Sequence, residues 1–159
     1  MFEHLAQHSV ILVTGPQRSG SRFCAQVIAS DTGHTYVDEG DVGVWNPAML
    51  RTASEKHNVV IHCPAMLQEA CEISQALVVC MLRDLSDIIK SEKRINWNSD
   101  FEKKKYQPDS EIPVSQQKYE YWHKHKPENH MEIVYDRLSS HTMWTEPKHR
   151  KLFSYNQTN

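Results

Sequence analysis

Glycine is scarce in this chain of 159 residues: there are five, and none follows Gly43. That excludes a second glycine-rich segment near the C-terminus. A backbone cradle for an anion has only the early glycines to use. Charge of one sign is lacking as well. The 18 lysine and arginine residues stand against 20 aspartates and glutamates, a net charge of −2, which argues against a bulk nucleic-acid binder. No long hydrophobic run is present either. "MFEHLAQHSVILVTG" has no basic leader, and its apolar stretch is too short for a signal or a membrane span. The four cysteines (Cys24, Cys63, Cys71 and Cys80) each sit in an apolar run, and no pair has zinc-ligand spacing. These absences together describe a soluble, cytoplasmic protein with no membrane or nucleic-acid partner and no metal site. There is no internal repeat, and the length fits one domain, 1–159.

Apolar runs alternate with helix-like patterns. "SVILVT" (9–14), "NVVIH" (58–62) and "ALVVCML" (76–82) read as strands covered on both faces, with "HTYVDE" and "MEIVY" (131–135) as further strands. Between them lie helical segments. One follows the loop, with Phe23, Cys24, Val27 and Ile28 at helical spacing and Gly33 as its stop, and one is capped by Asn46 with Pro47 at its first position. Another is opened by Pro64, and "DLSDIIKSEKR" is capped by Asp84 with an apolar face of Leu85, Ile88 and Ile89. Asp84, Asp87 and Ser91 are expected on the opposite face. "SQQKYEYWHKHK" also reads as a helix. Residues 95–114, broken by Pro108 and Pro113, read as a flexible loop that serves as a lid over the acceptor. The predicted fold is a three-layer α/β/α arrangement around a mostly parallel sheet, in which ligands bind beyond the carboxyl ends of the strands.

Just after the first strand comes Gly15 to Arg22, "GPQRSGSR". Strand, glycine loop and helix in this order make a phosphate-binding loop. The lysine and the magnesium-holding serine or threonine of a nucleotide hydrolase are missing, because Ser21 and Arg22 hold those positions. Backbone N–H groups at Ser19, Gly20 and Ser21 can still cradle phosphate, and Arg18 and Arg22 can add charge-assisted hydrogen bonds. The losses disfavour magnesium-dependent transfer from ATP. His62 ends the third strand, and on its own is as readily structural as catalytic. Arg83 ends the fourth, and Ser91 follows it by eight residues.

Together these pieces resemble the P-loop sulfotransferases that use 3′-phosphoadenosine 5′-phosphosulfate (PAPS). "RSGSR" is similar to their R/K-x-G-S/T-S/T loop, and "RDLSDIIKS" to their R-D/N-P-x-D signature with a later serine, Leu85 standing where the family has proline. "HCP" (62–64) is similar to the H-x-P sequence that carries their general base, and "MEIVYDRL" to the strand that leads into their Y-E-D-L segment. The resemblance implies a sulfotransferase-like P-loop fold and a small-molecule acceptor whose hydroxyl or amine attacks sulfur, with adenosine 3′,5′-bisphosphate as product. It also implies roles. His62 takes the acceptor's proton and Arg18 neutralises the leaving oxygen. Arg83 and Ser91 hold the 3′-phosphate, Tyr135 lies near the nucleotide, and Ser19, Gly20, Ser21 and Arg22 grip the phosphosulfate. The family's C-terminal glycine-rich segment is missing, and the basic "KHRK" (148–151) is the stand-in available.

Two other readings stand beside it. A small nucleoside or nucleotide kinase suits the length, and Asp38 and Glu39 end the second strand where a kinase base would sit. A non-catalytic nucleotide-binding module suits Arg22 and the missing segment. His123, His125 and His130 read as solvated rather than metal-binding, Tyr119, Tyr121 and Trp122 as packing residues, and "EKKK" (102–105) as an exposed face.

Overall fold

Val10–Thr14 (β1) is buried throughout and apolar as far as Val13, as a central strand with both faces covered requires. The computed structural model, which describes residues 1–43, 46–98 and 100–146, sets β1 in the middle of five parallel strands. The others are Thr35–Val37 (β2), Val59–His62 (β3), Leu77–Leu82 (β4) and His130–Val134 (β5), in the order β2-β3-β1-β4-β5. Register pairs Val13 with His62 on one side of β1 and with Val79 on the other.

Alternation along β1 divides the core in two. Ile11 and Val13 pack with Val27 and Ile28 of Ser21–Thr32 (α1) and with Phe2 and Leu5 of the N-terminal turn. Val10 and Leu12 pack on the other face with Leu50 of Pro47–Ser54 (α3), Ala70 of Leu67–Ala70 (α4) and Trp122 of Val114–His125 (α7). Helical layers on both sides of a parallel sheet are the predicted α/β class. Glu39–Val42 (α2), Leu85–Ile95 (α5), Asp100–Lys103 (α6) and Thr142–Thr145 (α8) complete the helices, with 3₁₀ turns at Glu3–Gln7, Pro64–Met66 and Tyr135–Ser140. No helix among the described residues is long and apolar enough to cross a membrane.

The local signals hold where their chemistry is local. Asn46 accepts hydrogen bonds from the N–H groups of Ala48 and Met49, and Asp84 from those of Ser86 and Asp87. Gly33 closes α1 in the left-handed conformation, its N–H donating to the Ala29 carbonyl.

Three expectations are corrected. The helix expected from Pro64 is a 3₁₀ turn followed by the single turn of α4. On α5, Ser91 is buried on the side of Ile88, three residues earlier, while Asp84 and Asp87 are exposed. Within "EKKK", Glu102 is buried against Lys118, and Lys105 pairs with Glu69 at 2.6 Å. The 95–114 segment thus carries a helical turn tied to α4 and α7. The basic "KHRK" lies outside the described residues.

Candidate functional site

The chain leaves β1 at Gly15 and re-enters regular structure at Ser21, the first residue of α1. Between them the backbone turns sharply, with positive φ at Arg18 (66°) and Gly20 (92°). Only glycine takes the Gly20 geometry without strain. It also has no room for a side chain, because a Cβ there would stand 2.6 Å from the Tyr135 ring. Arg18 carries a left-handed backbone without that freedom. Its guanidinium is anchored, Nε donating to Ser91 Oγ at 2.9 Å.

Arg83, at the end of β4, packs from the other side. One guanidinium nitrogen donates to the Arg18 carbonyl at 2.7 Å, and the group lies 4.2 Å from the centre of the Tyr135 ring. Arg18, Gly20, Arg83, Ser91 and Tyr135 therefore meet in one place. Burial first, and then the neighbouring charges of Arg94, Arg83 and Arg22, push the Arg18 guanidinium below its usual range. Like charges gathered at a glycine loop are what a bound anion would relieve. Two polar atoms support that reading. Ser19 Oγ and Arg83 Nε are buried without a hydrogen-bond partner among the described residues. Ser19 Oγ lies inside the loop, 3.0 Å from where a Gly15 side chain would begin.

A second cluster lies across β1. His62, at the end of β3, turns its Nε2 to Ser21 Oγ at 2.9 Å and its Nδ1 to Asp38 Oδ1 at 2.9 Å. Asp38 also accepts from the Tyr36 hydroxyl at 2.9 Å, and Arg22 stands 3.9 Å from its second oxygen. Although burial alone would raise the Asp38 carboxyl, His62, Tyr36 and Arg22 together hold it far below the usual carboxylate range. Burial keeps the His62 imidazole below its ordinary value, against the pull of Asp38. A carboxylate can only accept, so His62 carries its proton on Nδ1. Its bare Nε2 then accepts from the Ser21 hydroxyl. Serine, histidine and aspartate form one hydrogen-bonded chain, buried at Ser21 and His62 and half-buried at Asp38.

Glu39 opens α2 beside this chain and accepts from the Ala65 N–H. Burial pushes its carboxyl up to about 7 from an ordinary 4.5. A carboxyl that keeps its proton longer in the folded state contributes stability in full below the unfolded value. That contribution is lost as pH rises through about 7. Glu39→Gln, neutral at every pH, should therefore gain about 2–3 kcal/mol on the wild type between pH 4.5 and pH 8. Urea unfolding at the two pH values measures it, and a constant difference would refute the buried acid.

The fit to magnesium is poor. Arg22 occupies the position of the usual hydroxyl ligand, and Asp38 is engaged by His62, Tyr36 and Arg22. Asp84 is spent capping α5. The guanidiniums of Arg18, Arg22 and Arg83 gather at the loop, and a carboxylate bonded to it, Glu102, accepts from Gln17 and is paired with Lys118.

Sequence reasoning gathered most of these residues but missed two pairings. It gave His62 no partner, and it did not join Ser91, expected at the 3′-phosphate, to Arg18. The first pairing follows from sheet order. With β2 beside β3, Asp38 and His62 leave neighbouring strand ends.

No family model matches the chain, and neither does any curated protein. Solved structures do align with it over nearly its whole length. Shikimate kinase from Bacteroides thetaiotaomicron gives a TM-score of 0.59 at 14% identity, covering 91% of this chain and 95% of that one. Shikimate kinase from Acinetobacter baumannii, in complex with shikimate, gives 0.55 at 11% identity over all of both chains. The YorR protein from Bacillus subtilis, in complex with phosphorylated GDP, gives 0.56 at 13% identity over 93% and 100%. The chain shares the fold of these structures, a parallel α/β sheet with a loop between its central strand and first helix. This likeness corrects the expectation of a sulfotransferase. Of the arginine–serine pair that suggested one, Ser91 accepts from Arg18 and Arg83 donates to the loop carbonyl.

Proposed function

We propose that the protein is a nucleotide-dependent phosphotransferase of the small-kinase kind. The observation that carries this reading is the convergence of Arg18, Arg22 and Arg83 on a glycine loop at a helix N-terminus, beside a neutral histidine paired to a carboxylate. The donor assigned is a nucleoside triphosphate, in place of PAPS. Its phosphates lie on the N–H groups of Gly20 and Ser21 and on Ser19 Oγ, the Ser19 N–H being bonded to the Pro16 carbonyl. Arg18 and Arg22 supply the charge that the loop's lysine supplies elsewhere. Arg83 completes the cradle, and Tyr135 walls it. Ser91 contributes by holding Arg18. His62, unprotonated near neutral pH, is the proton acceptor, and Asp38 orients it.

The acceptor is a small molecule, and the 95–114 segment is its lid. Glu102 of that segment meets Gln17 of the loop at 3.3 Å, and the segment borders a cavity of about 440 Å³ walled also by Glu92 and Gln117. The free cysteines suit a cytoplasmic setting.

Calorimetric titration with ATP, run beside adenosine 3′,5′-bisphosphate, tests the reading. Micromolar ATP binding is expected, changed less than threefold by replacing magnesium with EDTA. Arg83→Ala should weaken it about 10- to 100-fold, as loss of a charge-assisted contact does. Preference for the bisphosphate, or binding of neither ligand, would overturn the assignment. A second reading, nucleotide binding without turnover, is favoured by Ser21 in the lysine position. Tight ATP binding with no release of ADP would establish it.

A further inference from the structure

We infer that Ser21 is itself a phosphoryl acceptor: its Oγ attacks the γ-phosphorus of the bound triphosphate and holds the group as phosphoserine before passing it on. This rests on the reading of the loop as a triphosphate site. The single bare nitrogen of His62 is bonded to Ser21 Oγ, and its other nitrogen to Asp38. An outside hydroxyl could give its proton to His62 only by displacing Ser21. The group placed to lose a proton is Ser21.

Nucleophile, base and orienting carboxylate in a hydrogen-bonded row are the recurring apparatus for activating a hydroxyl. All the distances in this row are hydrogen-bond lengths, with Ser21 4% and His62 5% exposed. A histidine buried for structural reasons would need partners too, but it need not find one in the residue that replaces the phosphate-gripping lysine. Ser21 stands there, at the first turn of α1, next to Arg22 and one residue beyond Gly20. The unpartnered Ser19 Oγ inside the same loop points separately to a missing oxygen-rich ligand. Developing negative charge would be met by loop N–H groups and by Arg18.

The step balances. A bond forms between Ser21 Oγ and the γ-phosphorus as the bond from that phosphorus to the β,γ-bridging oxygen breaks. The nucleoside diphosphate leaves, and the hydroxyl proton passes to His62 Nε2. In the second half an acceptor hydroxyl, or water, attacks the phosphoserine. His62 returns its proton to the departing Ser21 oxygen, takes the acceptor's proton, and releases it to solvent. His62 is catalytic in this scheme, and Asp38 is a positioning residue.

The experiment uses the full chain with ATP and no added acceptor, quenched in acid and read by intact mass and peptide mapping, with ATP binding measured in parallel by calorimetry. The expected result is one phosphoryl unit on Ser21, stable to acid as a phosphoserine is. His62→Ala should slow labelling about 10²- to 10⁴-fold. Asp38→Asn should slow it and also move the pH inflection of the labelling rate downward. The lost carboxylate is what pulls the His62 value up, and a purely structural carboxylate would leave the inflection in place. ATP that binds but leaves Ser21 unlabelled, or labels another residue, overturns this inference and leaves the phosphotransferase reading standing. ATP that fails to bind overturns both.

Discussion

Lys118→Ala is expected to destabilise the protein by about 3–5 kcal/mol, the cost of leaving one member of a buried ion pair alone. Lys118 is 1% exposed, and its Nζ donates to Glu102 Oε1 at 2.8 Å and to the Pro64 carbonyl at 3.0 Å. The same Glu102 oxygen accepts from Gln17 of the phosphate loop. Removing the ammonium strands a carboxylate that is 5% exposed and frees a carbonyl two residues beyond His62. The damage should spread to the site, lowering nucleotide affinity along with the unfolding midpoint. Lys118→Met combined with Glu102→Leu separates the charge from the shape. It removes both ions while filling the space, so it should recover more than half the loss seen in urea unfolding. A cost below about 1 kcal/mol for Lys118→Ala would mean that water reaches the pair as it reaches a surface salt bridge.

That network was invisible in the sequence for a physical reason. "EKKK" and "SQQKYEYWHKHK" are polar segments that read as solvated faces, and only tertiary packing turns one glutamate and one lysine inward to meet. Strand positions were legible because a strand buried on both faces must be apolar at successive positions, as in "VILVT" and "LVVCML". Helix starts at Asn46 and Asp84 were legible because capping is settled within three residues. The loop was legible from the glycines that its backbone demands. What the chain does with the loop was less so. Short motifs suggested sulfuryl transfer because an arginine and a serine eight apart looked like a phosphate clamp, and nothing local signals that Ser91 also meets Arg18. Asp38, His62 and Ser21 were each noticed, yet their meeting depends on β2 lying beside β3 and β3 beside β1. That order has no local signature.

Gly20→Ala isolates how the loop depends on its neighbour. An added Cβ would stand 2.6 Å and 2.7 Å from two Tyr135 ring atoms, at a φ of 92° that alanine rarely adopts. The ring must move, and Arg83, stacked 4.2 Å from its centre, must follow or lose the contact. Arg83 in turn holds the Arg18 carbonyl, so the displacement reaches the residue whose backbone shapes the loop. The expected result is a loss of stability of about 2–4 kcal/mol, with about 1–3 from overpacking and about 1 from backbone strain. Nucleotide binding should fall by at least about tenfold, the loss of roughly one charge-assisted contact. Gly20→Ala with Tyr135→Ala is the informative partner. Deleting the ring removes the clash and leaves the backbone strain, so the pair should be less destabilised than the sum of its single changes. Coupling of about 1–2 kcal/mol is expected for residues in direct contact. Strict additivity would mean that the ring already yields freely, and that the loop is shaped by Arg18 and Ser91 without Tyr135.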